Sequence, residues 1–154
     1  MPVFFCDSSG IVKRYVNEIG TPWVLSLVAP AAGNRIYVAR ITGVEVVSAV
    51  TRRQRSGSLT PSEAAVVLDQ FRHDFAAEYR VAAITLALLT QAMALAETHA
   101  LRGYDAVQLS AALILNVRRL ARGLPALTLV SSDAELNAAA TVEGLRVEDP
   151  ASHP

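Results

Sequence analysis

Four carboxylates stand where a folded chain gains little by placing one. Asp7 directly follows the apolar run Val3-Phe4-Phe5-Cys6, and Glu45 interrupts the apolar stretch 41–47. Asp105 opens the helical run 106–113, and Asp133 ends the run 126–132. Burying an unpaired carboxylate costs several kcal/mol. Four acids at element ends and core faces therefore call for something positive that collects them. A divalent cation does so, and a cation held by acids is suited to phosphate chemistry. Mg²⁺ or Mn²⁺ is expected rather than zinc, because both take oxygen ligands and no Cys/His set is present. Taken singly, Asp7, Asp105 and Asp133 could each be a helix-start acid. Glu45 resists such an explanation: it sits mid-pattern beside Val44, Val46 and Val47, with a salt bridge to an Arg as its plainest alternative.

The elements that must position these acids alternate. Strands are expected over 3–6, 35–39, 79–84, 126–130 and, at an edge, 145–148, from apolar and β-branched runs bounded by turn residues. Helices are expected after Ser8 or Ser9, then from Pro22 to about 29, over 41–55, from the Thr60-Pro61-Ser62-Glu63 capping box to about 77, and over 85–99, 105–122 and 134–140. Strands linked by helical crossovers give an α/β sandwich over a mainly parallel sheet, whose sites form beyond the carboxyl ends of the strands. Asp7 and Asp133 fall there by order alone, and Glu45 and Asp105 lie on helices that can lean over the same edge. Asp69, Asp74, Glu63 and Glu78 read as the solvated face of one amphipathic helix.

The chain of 154 residues is 52% hydrophobic and 18% charged, as for one domain with a real core. The expected domain spans 1–150, with 151–154 a frayed tail. No stretch approaches the ~20 apolar residues of a membrane span. The N-terminus shows no basic leader, and the lone Cys6 has no disulfide partner, so a reducing cytoplasm is expected. Cys6 reads as a small buried hydrophobe. His73 and His99 stand apart and make no Ser-His-Asp set, and no Gly-rich phosphate loop occurs. Formal net charge is zero, yet thirteen of the fourteen basic residues are Arg, which grips phosphate in a bidentate fork. Lys13, Arg14 and Arg52 are candidates for phosphate contact. Aromatic content of 6% leaves little for extended base stacking.

The acids and their neighbours, in order, resemble the PIN-domain ribonucleases, most closely the VapC-type toxins of bacterial toxin–antitoxin pairs. The words are Phe5-Cys6-Asp7-Ser8-Ser9 followed by Val12-Lys13-Arg14-Tyr15, then Thr42-Gly43-Val44-Glu45-Val46-Val47-Ser48-Ala49. Leu101-Arg102-Gly103-Tyr104-Asp105-Ala106-Val107-Gln108-Leu109 is the most specific, and Val130-Ser131-Ser132-Asp133-Ala134-Glu135-Leu136-Asn137 closes the set. The likeness runs from about residue 3 to 150.

The resemblance implies a three-layer α/β/α sandwich with a central sheet of about five strands. It implies that Asp7, Glu45, Asp105 and Asp133 bind Mg²⁺ or Mn²⁺ and cleave RNA. Ser8 or Ser131 would orient ligands or water. Relatives often carry a further acid just past the fourth; Glu135 and Asn137 occupy that neighbourhood here, and Asn137 could support the site from one turn away. The partners implied are an RNA substrate, a VapB-type antitoxin that covers the acids, and a second copy joined through the 24–28 or 64–68 faces. The alternative is a catalytically silent PIN module that binds RNA or protein, which the retention of all four acids opposes. A phosphatase of the haloacid-dehalogenase type needs a second acid two residues past Asp7, where Ser9 stands.

Overall fold

The computed structural model describes residues 1–153. Five strands, β1 (Val3–Cys6), β2 (Arg35–Ala39), β3 (Arg80–Ala82), β4 (Thr128–Val130) and β5 (Arg146–Glu148), form one wholly parallel sheet in the order β3-β2-β1-β4-β5. The helices are α1 (Ser8–Ile11), α2 (Thr21–Val28), α3 (Thr42–Ser56), α4 (Pro61–Ala77), α5 (Leu86–His99), α6 (Gly103–Ala121) and α7 (Ala134–Val142). This is the expected α/β/α sandwich.

Alternation along the strands sorts the core into two layers. Val3, Phe5 and Leu129 face one side and pack with Leu88, Leu95, Leu109 and Leu136 of α5, α6 and α7. Cys6, Val38 and Val130 face the other and pack with Ile11, Val46, Val50 and Phe71 of α1, α3 and α4. The chain winds from β1 outward to β3, then returns to the far side of β1 with β4. The switch therefore lies between β1 and β4, where open parallel sheets leave a crevice at their carboxyl edge.

Two expectations fail. Residues 150–152 are a 3-10 turn rather than the start of a frayed tail, with Pro150 buried. The His153 ring stacks on Trp23 at 4.6 Å and reaches Glu148 at 3.0 Å, and a Cβ on Gly20 would collide with the Pro150 carbonyl. Pro154 lies outside the described residues. Asp74, expected on a solvated face, is fully buried: its carboxylate accepts from Tyr15 Oη at 2.7 Å and Gln70 Nε2 at 2.8 Å and pairs with Arg14 at 3.2 Å. Its partner Arg14 lies 60 residues away in sequence, so helix patterning alone could not foresee the pair. Among the described residues no helix is long and apolar enough to cross a membrane.

Candidate active site

Asp7 leaves β1 where the chain turns into α1. Its backbone N–H donates to the Val130 carbonyl of β4 at 3.1 Å, and its carboxylate caps α1 by accepting from Gly10 N at 2.8 Å. Asp7 itself, rather than Ser8 or Ser9, is thus the cap. Ser9 Oγ donates to Asp7 at 2.8 Å, and Ser131 Oγ, from the end of β4, donates to its second oxygen at 2.9 Å. Gly10 allows this approach, since a Cβ there would stand 2.6 Å from the Val130 carbonyl oxygen. Burial pushes the Asp7 carboxyl up to about 7 despite these donors, and the Glu45 charge adds to the rise.

Ser131 ties the first acid to the fourth. Its hydroxyl accepts from Asp133 N at 3.1 Å, and the Asp133 carboxylate caps α7 through Leu136 N at 2.8 Å. Glu45, in the first turn of α3, accepts from Ser8 Oγ at 3.1 Å and from Gln108 Nε2 at 2.7 Å. Asp105, in the first turn of α6, is drawn to the fourth acid by a shared cation: Arg102 stands 3.6 Å from Asp105 and 3.7 Å from Asp133. Partial burial raises the Asp105 carboxyl, and the charges of Asp133, Glu45 and Glu135 raise it further, against Arg102. The four acids from distant parts of the chain thus share one electrostatic neighbourhood at the carboxyl edge of the sheet.

As they stand, no three acidic, His or Cys side chains among the described residues converge on one point. The reason is visible in their bonds: Asp7 is turned to its serines and helix cap, Glu45 to Ser8 and Gln108, and the other two to Arg102. In donor type and charge the set fits a hard divalent cation. It offers oxygens only, its acids repel one another, and Arg102, the cation shared by Asp105 and Asp133, is 77% exposed.

Glu45 and Ser132 line a cleft of about 480 Å³ with Ser8, Lys13, Arg52 and Tyr104. Of the three phosphate candidates, Arg52 alone is exposed on this cleft with no carboxylate within salt-bridge distance among the described residues. Lys13 lines the cleft but is buried and paired with Glu18 at 3.0 Å, which also holds Arg53. Arg14 is turned away, bonded to Glu78 at 2.8 Å and Tyr79 at 2.9 Å in a different groove. The Asn137 side chain makes no hydrogen bond to an acid: its Nδ2 donates to the Ser131 carbonyl at 2.7 Å, and its Oδ1 is buried without a partner among the described residues. It props the strand end rather than a carboxylate.

Sequence reasoning missed Gln108 and Arg102. Gln108 lies three residues past Asp105, one helical turn on, which is the signal that could have found it. Its Nε2 also donates to Thr42 Oγ1 at 2.9 Å, while its Oε1 is buried and unpaired. Arg102 lies three residues before Asp105, the spacing of a helix-start ion pair.

No family model matches the chain. It is 33% identical over 147 residues to Ribonuclease VapC45 of Mycobacterium tuberculosis, covering 96% of this chain and 95% of that protein. Its fold is similar to that of PAE2754 from Pyrobaculum aerophilum, with a TM-score of 0.65 at 16% identity, over 99% of this chain and 86% of the other. It is similar as well to VapBC2 from Rickettsia felis, solved bound to a DNA fragment from the promoter, with a TM-score of 0.61 at 16% identity over 96% and 98%.

Proposed function

The chain belongs to the VapC ribonuclease family, and from that premise we propose that it is a metal-dependent endoribonuclease, the toxin of a toxin–antitoxin pair, acting at the Asp7–Glu45–Asp105–Asp133 cluster. One observation supports the reading: the charges of Asp7, Glu45, Asp105 and Asp133 act on one another at the carboxyl edge of a parallel sheet, beside an open cleft, and the exposed Arg102 pairs with only two of them, Asp105 and Asp133. Asp7, Glu45, Asp105 and Asp133 would hold Mg²⁺ or Mn²⁺. The ion, when bound, supplies Lewis acidity toward the phosphate and lowers the pKa of a water.

The chain's own groups set the geometry. Ser8 and Gln108 fix both oxygens of Glu45. Ser131 locks the strand end that carries Asp133. Asp105, whose pKa is raised, or Asp133 would accept the proton of an attacking water. Arg52 can grip a phosphate at the cleft wall. No histidine lines the cleft, which favours water over a 2′-hydroxyl as nucleophile. A VapB-type antitoxin over the acids and a second copy of the chain are the protein partners the reading implies. For the latter, α4 offers the exposed Val66, whereas α2 buries Val24 and Leu27 and leaves Leu25 outside.

The test is cleavage of structured RNA by wild type and Asp105→Asn, with Mn²⁺ or with EDTA, followed by end mapping. We expect loss of roughly 100-fold or more in the variant and in EDTA. Products ending in a 2′,3′-cyclic phosphate, or full activity in EDTA, would overturn it.

A further inference from the structure

At the opposite edge of the sheet the charge reverses. β2, β3 and β5 each begin with an arginine: Arg35, Arg80 and Arg146. Arg35 lines a groove of about 240 Å³ with Arg118, Arg119 and Arg122, the carboxyl end of α6, and with Tyr37 on the wall. No acid lines it. Arg119 is buried, with its Nε donating to the Pro125 carbonyl at 3.0 Å. Arg35, Arg118 and Arg122 are exposed and pair with no carboxylate among the described residues. Arg35 also borders a second groove, with Arg80 and the Met1 amino end, whose one acid, Glu78, is already bonded to Arg14.

Helix-end electrostatics explain only part of this. The carboxyl end of α6 carries about half a negative elementary charge. Four guanidiniums around one groove bring four positive charges. The surplus of more than three is left to solvent and salt, in a protein of zero net charge. Arginine rather than lysine at every position favours anions with two oxygens that can accept the paired N–H groups of a planar guanidinium, as a phosphate does.

We propose that this arginine groove binds phosphates of a base-paired RNA stem that flanks the segment held at the acids, an inference that rests on the nuclease reading above. Arg118 lies 13 residues along α6 from Asp105. That is about 20 Å at 1.5 Å per residue, too far for one phosphate to touch both. It matches roughly six nucleotides of stacked strand at ~3.4 Å each. A substrate reaching both poles is a stem with its unpaired segment in the cleft and its backbone on the arginines, recognised by shape and phosphate.

The test is fluorescence anisotropy in EDTA at several salt concentrations. The probes are an RNA hairpin with a stem of about ten base pairs, longer than the gap at ~3.4 Å per step, a single-stranded hexanucleotide, and a polyglutamate peptide. We expect Arg118→Ala/Arg122→Ala to weaken the hairpin roughly tenfold and to lower the slope of log K against log salt by about 2. The hexanucleotide should change less than twofold, and Arg118→Lys/Arg122→Lys should keep the salt slope of wild type while binding the hairpin less tightly. Unchanged hairpin binding, equal loss on both RNAs, or polyglutamate bound more tightly than the hairpin would each overturn the proposal. If wild type binds the hairpin through these arginines yet cleaves no RNA with Mn²⁺, the groove stands and the nuclease reading falls.

Discussion

Asp7 is at once a helix cap and a buried acid, and its pKa carries the consequence. Its folded value of about 7 lies above the ordinary aspartate value of about 3.9. Between those pH values the folded protein holds a proton that the unfolded chain has released. Stability from this group is therefore present below about pH 4 and is lost as pH rises through 7, by at most about 4 kcal/mol. Asp105 shifts in the same direction. Thermal unfolding in EDTA should give wild type a higher Tm at pH 5 than at pH 8, and Asp7→Asn a flatter profile; parallel profiles would contradict this. Gln108 offers a second probe. Its unpaired Oε1 costs about 1–3 kcal/mol where it lies, yet its Nε2 fixes Glu45. Gln108→Leu should keep the fold and lose about 10–100-fold in cleavage, as supporting contacts to metal ligands do. Undiminished cleavage with Mn²⁺ would remove Gln108 from the site.

Among elements, the contact of α1 with β4 decides whether the first and fourth acids meet. Gly10→Ala would drive a methyl to 2.6 Å from the Val130 carbonyl and push α1 off the strand. The bond from Ser131 to Asp7 should then break, and both Tm and cleavage should fall. The loss should be about 1–3 kcal/mol, the cost of overpacking, read by urea unfolding; an unchanged midpoint would refute the tight contact. Local signals announce such elements well. The Thr60 capping box closes as its sequence implies, with Thr60 N donating to Glu63 at 2.7 Å and Glu63 N to Thr60 at 3.2 Å. Cys6 is buried, as its place in an apolar strand implies. Asp74 and Arg14 were illegible for the opposite reason: the first reads as a solvated helix charge and the second as a phosphate contact until the fold brings them within 3.2 Å. The same holds for Lys13, whose neutralising partner Glu18 cannot be told from any other nearby acid in a string of letters.

Across the whole molecule, zero net charge conceals two poles. Acids crown the carboxyl edge at the β1–β4 switch, and unpaired arginines ring the amino edge. A parallel sheet makes this separation possible, because every strand begins at one edge and ends at the other. The order of strands and helices and the Thr60 capping box follow from the amino-acid sequence, because periodicity and capping act between residues a few positions apart. Which charges are neutralised, which acids share Arg102, and that Gln108 braces Glu45 were decided only in three dimensions. Those pairings join residues brought together by packing of the two layers, and Coulomb and hydrogen-bond energies depend on separation in space, to which separation along the chain is no guide.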